Sequence, residues 1–364
     1  MRSTLWLLPV LFLAVGAMPA EGQRASLDLG LESRYFLDEG VYGNPDQSES
    51  SLRIRGDVSY AWDRNRHVLT FIPYLLLSDP DGEKTHFDIR EANWAGVVGD
   101  LEVRVGIGKV FWGVAESAHL VDVVNQTDLV ESVDGEEKLG QPMVSLRYRT
   151  PVGDFSVFLL PYFRERTFAG HEGRLRYPTP VDPSRTEYES SRERRHVDFA
   201  ARWQKSHSLL DLGVSFFSGT SRDPLIRNAT AEDGSDIAFA RYPLSRQVGL
   251  DLQLTHGPTL LKHESVYRSY SAGEADDFFA QVTGIEYTLY GVLESSVDLG
   301  WLAEYQYADK PNALTPFTNH VFMGARVGLN DVQGSEFLLG GLFDVSGSEH
   351  YLSIESRRRL SSVM

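Results

Sequence analysis

Val105-Gly-Ile-Gly-Lys-Val-Phe-Trp-Gly113 reads as a strand that stops abruptly and opens into an acidic segment, 111–141. Leu101, Val103, Val105 and Ile107 alternate with Glu102, Arg104, Gly106 and Gly108, so one face is apolar and the other polar or empty. The alternation ends at Trp112-Gly113, and about thirty residues pass before the next strand-like run. An excursion of that length inside a compact domain is functional or disordered. The reading that follows is an outer-membrane β-barrel with this excursion in its pore.

Other runs repeat the pattern. The clearest are Leu52-x-Ile54-x-Gly-x-Val58-x-Tyr60-x-Trp62, Val197-x-Phe199-x-Ala201-x-Trp203, Val248-x-Leu250-x-Leu252-x-Leu254 and Val297-x-Leu299-x-Trp301-x-Ala303-x-Tyr305-x-Tyr307. Further runs cover 27–35, 68–76, 87–94, 101–110, 144–148, 155–163, 210–217, 260–270, 278–290, 321–329, 337–345 and 351–360, giving about sixteen strands within a range of fourteen to eighteen. Helical periodicity is confined to 114–124. The links alternate. They are short at 63–66, 96–100, 150–153, 205–207, 255–258, 291–294 and 330–334, and long and polar at 38–50, 78–85, 111–141, 165–194 and 218–243. Short periplasmic turns on one rim and long extracellular loops on the other are the signature of a transmembrane antiparallel β-barrel. A soluble β-protein would alternate too, but no fixed-period repeat supports a propeller.

Composition agrees. Residues 1–22 read as a secretory signal peptide: Arg2, an apolar run over 5–15, and Ala20-Glu21-Gly22 as the cleavage site. Residues 23–364 then form a single barrel domain. The chain has no Cys, so neither disulfides nor Cys-ligated metals are expected. Its net charge of −16 speaks against a nucleic-acid partner. A mean hydropathy of −0.25 suits a barrel, in which alternate residues face lipid. Tyr and Trp, 16 and 6 in number, suit aromatic girdles.

The other parity of each strand faces the lumen. It supplies Arg53, Arg55, Arg90, Arg104, Arg147, Arg149 and Arg202, an arginine-rich wall in the first half of the barrel. The excursion carries Glu116, Asp122, Asp128, Glu131, Asp134, Glu136 and Glu137 against Lys138 alone. Folded inward, it would pair these charges, narrow the pore and set a transverse field across it. Folded outward, its carboxylates would simply be solvated. Strict alternation points Lys109 at lipid, so a bulge or a rim position is expected there.

The stretch 105–128 resembles a segment of a porin-like outer-membrane family known chiefly as a domain of unknown function. In that family a strand ending V-G-x-Q-x-x-x-W-G leads into D-V-x-N-P-x-D. The matching residues are Val105, Gly106, Trp112, Gly113, Asp122, Val123, Asn125 and Asp128, with Lys109 near the family's Gln and Gln126 in place of its Pro. The resemblance implies a channel, or a component of lipid or hydrophobe traffic, and no substrate.

Catalytic patterns are missing: no G-x-S-x-G, no H-E-x-x-H and no P-loop occurs, so no enzymatic activity, cofactor or metal is expected. His171-Glu172, His263-Glu264 and Glu349-His350 read as surface pairs, Asp79-Pro-Asp-Gly-Glu83 as a turn, and 165–194 as a self-paired external loop. Three functions stand: a channel for small polar or charged solutes, a conduit or receptor for hydrophobic compounds or lipids gripped by Phe111, Trp112, Leu120, Val123 and Val124, and, least supported, an outer-membrane enzyme. Expected partners are membrane lipid, lipopolysaccharide, a small solute and further copies of the chain in a trimer.

Overall fold

A computed structural model describes residues 10–16 (backbone only), 22–36, 47–132, 135–230, 234, 236–312, 314, 318–345, 347 and 349–359. The cleavage-site residues Ala20 and Glu21, Asp134 and the tail from Leu360 lie outside them.

Sixteen antiparallel strands form one continuous ladder, and the fold is a transmembrane β-barrel. They are β2 (Gln23–Tyr35), β3 (Ser48–Trp62), β4 (His67–Asp79), β5 (His86–Val98), β6 (Leu101–Gly108), β7 (Gln141–Thr150), β8 (Gly153–Leu160), β10 (Asp198–His207), β11 (Leu210–Thr220), β14 (Leu244–His256), β15 (Thr259–Tyr270), β16 (Phe278–Leu289), β17 (Asp298–Ala308), β18 (Asn319–Gly328), β19 (Glu336–Asp344) and β20 (His350–Arg357). Each pairs with its neighbour in this order. All sixteen strand-like runs of the sequence are present. A further strand, β1 (Val10–Gly16), pairs with the outer edge of β2. Three short strands, β9 (Glu187–Tyr188), β12 (Leu225–Thr230) and β13 (Asp236–Tyr242), form a separate small sheet in the long loops, where strands were not expected.

The two-residue period sorts side chains by solvent. On β3, Leu52, Val58 and Tyr60 lie on the outer surface, while Glu49 and Ser51 are buried within. Outward aromatics collect at both strand ends: Trp62, Trp94, Trp203, Tyr287 and Trp301 toward the short turns, Tyr35, Phe87, Tyr267, Phe279 and Tyr307 toward the long loops. This is the double girdle that amphipathic rings form at two interfaces.

One register shift matters for the site. Ile72 pairs with Glu91 but Pro73 with Ile89, so Arg90 is the extra residue of a bulge. Pro73 has no N–H to offer its neighbour, and a bulge is how a ladder absorbs that. Two expectations are corrected. Residues 114–124 are not helical: their backbone amides turn to wall carboxylates rather than to each other. Glu264 is not a surface residue but fully buried inside the barrel. Lys109 follows the end of β6 at Gly108, so the strand's alternation does not carry it to lipid.

Candidate functional site

The chain leaves β6 and folds into the barrel over 109–140. The exit is set by Gly113, whose φ is +131° and where a Cβ would lie 2.8 Å from Glu264 Oε1, so a side chain is excluded twice over. Trp112 is buried edge-on to Phe158, with ring centroids 5.7 Å apart, and the Arg202 guanidinium lies 5.4 Å from its ring. Leu120, Val121, Val123 and Val124 pack on inward side chains of the wall, among them Leu160, Phe217, Val266, Phe278 and Val282. The lumen therefore has an apolar core of its own, built from half the wall and one loop.

Carboxylates of the wall cap the loop's amides. Glu264 Oε1 accepts from the N–H of Val114 at 2.7 Å and of Ala115 at 2.9 Å, and Oε2 from Val121 at 3.2 Å. Glu304 accepts from the N–H of Glu116 and Ser117, both at 2.8 Å, and from the Ser117 hydroxyl. A loop buried in this way would otherwise carry unpaired backbone donors.

Asn125 closes the base of the loop. Its Oδ1 accepts from the Val110 N–H at 2.9 Å, and its Nδ2 donates to the carbonyls of Gly108 at 2.9 Å and Leu139 at 2.8 Å. Asp122 accepts from the Trp112 N–H at 3.3 Å and sits 3.6 Å from Lys138. Burial pushes its carboxyl up, and Lys138 opposes this. Trp112, Gly113, Asp122, Val123 and Asn125 thus hold the loop in place, and neither Asp122 nor Asp128 is exposed.

The acidic side of the loop meets β5 at the bulge. Arg90 Nη2 donates to Asp128 Oδ2 at 2.6 Å and to Glu131 Oε2 at 2.7 Å, and Nη1 to Asp88 at 2.9 Å; its guanidinium lies 4.1 Å from the Tyr74 ring centroid. Arg53 Nη1 reaches Glu131 Oε1 at 3.3 Å. Burial alone would raise the Asp128 carboxyl, but His86, 3.2 Å away, and the Arg90 charge hold it well below the carboxylate range. Arg53, Arg55, Arg90, Lys109, Glu131 and Glu137 line one cleft, with Lys109 Nζ 3.6 Å from Glu137 Oε2.

The other predicted arginines sit elsewhere. Arg104 and Arg149 approach Glu102 at 3.9 and 3.5 Å, and Arg147 pairs with Asp154, all on strands of the wall below the loop. Arg202 makes a two-pronged pair with Asp251, both contacts 2.7 Å. Glu116 turns to the opposite wall, to Arg326 Nη2 at 2.7 Å and Lys262 Nζ at 3.9 Å. Among the described residues the loop thus touches strands from β2 through β18.

Outside it, 161–197, 221–230 and 236–243 fold over the same end. Phe163, Val181, Ala238, Ala240 and Tyr242 form their core. The expected self-pairing of 165–194 holds for Glu165 with Arg194 and Asp182 with Arg185, whereas Arg166 and Thr167 reach inward to Asp223 and Asp128. Asp223, bonded to Arg166 and Arg268, is buried yet held down to about 2 by those two guanidinium groups.

Glu264, Glu304 and Arg326 were not singled out as partners in the sequence. A signal existed for two of them. Glu264 and Glu304 fall on lumen parity beside Val266 and Leu302, and a carboxylate among apolar lumen neighbours must be satisfied by something brought to it.

No protein-family model matches the chain, and neither does any curated protein sequence. Solved structures do match. In-vitro folded OmpT, an outer-membrane protein of Vibrio cholerae in its trimer form, is 9% identical, with 92% of this chain and 89% of that chain covered and a TM-score of 0.50. OprB of Pseudomonas putida at high pH is 11% identical over 92% and 93%, at a TM-score of 0.49. The outer-membrane channel DcaP of Acinetobacter baumannii is 11% identical over 94% and 97%, at 0.44. At such identities the likeness to OmpT is one of fold.

Proposed function

We propose that the protein is an outer-membrane channel for small polar or charged solutes, with 111–141 as its constriction. Residues 1–22 direct it across the inner membrane and are removed, and the short turns face the periplasm. Residence in the outer membrane fits the fold shared with the Vibrio cholerae protein. Lipid and lipopolysaccharide then contact the outward apolar band and the outer loops. The observation that carries the reading is the cleft beside the loop. Arg53, Arg55 and Lys109 line it together with Glu131 and Glu137, and Arg53, Lys109 and Glu137 are partly open to solvent. Opposed charges across a narrow aqueous passage orient a dipolar solute and discriminate between ions.

A conduit for hydrophobic compounds would need free apolar side chains at the loop. Trp112, Leu120, Val123 and Val124 are already covered by the wall, which leaves Phe111, 61% exposed and edge-on to His119. The channel reading therefore stands first. Conductance of the purified protein in a planar bilayer under a salt gradient tests it. Steady ion current at low voltage is expected without added ligand. Arg53→Ala with Arg55→Ala should move the reversal potential toward cation preference, and Glu116→Gln with Glu137→Gln toward anion preference. A silent protein would overturn the reading. An open one with unchanged selectivity would remove these residues from the passage.

A further inference from the structure

The outward rows of the barrel are apolar over most of their length, and β15 and β16 interrupt them. His263 and Ser265 point outward from β15, and Gln281 and Thr283 from β16. The register sets His263 opposite Thr283 and Ser265 opposite Gln281. Ser265 is also level with Leu250 of β14, and Gln281 with Tyr307 of β17. One step further toward the long loops stands the pair Tyr267 and Phe279. The group therefore lies at the inner margin of the long-loop girdle. Amphipathic rings mark the boundary between headgroups and hydrocarbon. That boundary is also the depth of the ester bonds that join acyl chains to the polar part of a lipid.

Three of these side chains form a relay. His263 Nδ1 lies 2.8 Å from Thr283 Oγ1, and His263 Nε2 lies 3.2 Å from Ser265 Oγ. In the tautomer with its proton on Nδ1, the ring donates to Thr283, and Nε2 accepts from the Ser265 hydroxyl. A hydroxyl, a base within hydrogen-bond reach and a third group that fixes the base are the parts of an activated nucleophile. The sequence holds no motif for them, because Thr283 meets His263 by register across the ladder. We propose that this face of the barrel hydrolyses long-chain acyl esters of lipids in the surrounding leaflet. Ser265 Oγ bonds to the ester carbonyl carbon as its proton passes to His263 Nε2. The bond from that carbon to the alcohol oxygen breaks, and His263 gives its proton to the departing oxygen. Water then attacks the acyl-serine and loses a proton to His263; the fatty acid leaves as that proton returns to Ser265 Oγ. The Gln281 side-chain amide stands across the ladder from Ser265 and makes no hydrogen bond among the described residues, so its N–H groups are available to the oxyanion. Leu250, Leu261, Ile285 and Tyr305 are exposed around the group and give the acyl chain an apolar surface. Polar side chains facing lipid are costly and are kept where they have a use. The inference rests on the transmembrane fold and not on the channel reading.

Fatty-acid release by the purified, folded protein in mixed micelles tests this, with phosphatidylethanolamine in one series and lipopolysaccharide in the other. Release from at least one is expected, and the lipid that releases identifies the polar part recognised. Ser265→Ala should lower the rate roughly a thousandfold or more, the scale of a lost nucleophile. Thr283 is a positioning residue, so Thr283→Val should lower kcat roughly tenfold or more with KM nearly unchanged. Thr283→Ser, which keeps the hydroxyl, should recover most of that rate, whereas a packing role would be met by Val and not by Ser. A long-chain alkyl fluorophosphonate, whose fluoride an activated serine displaces, should label the parent protein at Ser265. Three results would overturn the proposal: no release from either lipid by the folded parent, release unchanged in Ser265→Ala, or no label on Ser265. Equal losses in Thr283→Val and Thr283→Ser would overturn the relay.

Discussion

Asn125 ties three backbone positions together with one amide, and nothing else of its size carries the same donors and acceptor in that geometry. Asn125→Ala should leave a buried N–H and two carbonyls unpaired, at a cost of about 2–4 kcal/mol to the seating of the loop. Proteolytic nicking of the loop in otherwise intact barrels would report it. Glu264 tests the same principle from the wall. Glu264→Ala strips the acceptor from three buried amides and should give noisy, intermittently larger conductance. Glu264→Gln, which keeps one acceptor oxygen, should lie closer to the parent. Equal behaviour of the two variants would mean that the carboxylate does not seat the loop. Asp223 supplies a pH test. Its folded pKa is below its unfolded one, so the stabilisation is present above about pH 4 and is lost as pH falls through about 2. It is on the order of 2 kcal/mol. Deuterium exchange in 161–197 should stay slow at pH 4 and accelerate near pH 2, whereas Asp223→Asn should exchange faster even at neutral pH.

At the scale of elements, the loop is held inside the barrel by two kinds of force. Its apolar side packs on β7, β8, β11, β15 and β16, and its acidic side docks on the β5 bulge. Removing 114–138 and bridging the ends with a short Gly-Ser linker should leave the ladder intact and raise single-channel conductance several-fold. No rise would show that the loop does not limit the passage. One end of the loop also responds to proton concentration. His119 Nε2 lies 3.6 Å from Glu136 Oε1; burial opposes protonation of the ring, but the Glu136 and Glu264 carboxylates outweigh it and raise the His119 pKa. The raised value means the contact is fully present below about pH 6.5 and is lost as pH rises through the folded pKa. Current fluctuations should therefore grow on the alkaline side, and His119→Gln should flatten that dependence. Constant noise from pH 6 to 9 would exclude it.

For the whole molecule, the seam of the wall lies at the outer edge of β2. β2 carries β3 on one edge and β1 over Ser26–Glu32 on the other, and β1 runs in the direction that a sixteenth strand would need to close the cylinder on β2. β20 pairs with β19, and its other edge has no ladder among the described residues. We expect processing of residues 1–22 to free the β2 edge for β20. Amides on that edge should be protected from exchange in the processed chain, and β20 amides should exchange faster when residues 1–22 are retained.

Much of this architecture was readable from residue order. The strands appeared as a two-residue rhythm because each residue in a barrel wall touches either lipid or lumen, and that choice repeats along the chain. The alternating short and long links followed from the same topology. The inward loop was foreseeable only as a possibility of charge, since an acidic run of −6 pairs or solvates equally well on paper. Its partners were not foreseeable. Arg90 comes into range because a Pro-induced bulge re-aims it, Glu116 finds Arg326 more than two hundred residues away, and Glu264 and Glu304 meet backbone amides that no side-chain pattern records. Sequence by itself determined the wall, because facing is a local property of alternation. Tertiary structure decided the interior, because there each polar group must find its partner across the lumen, and that distance is set by closure of the wall rather than by spacing along the chain.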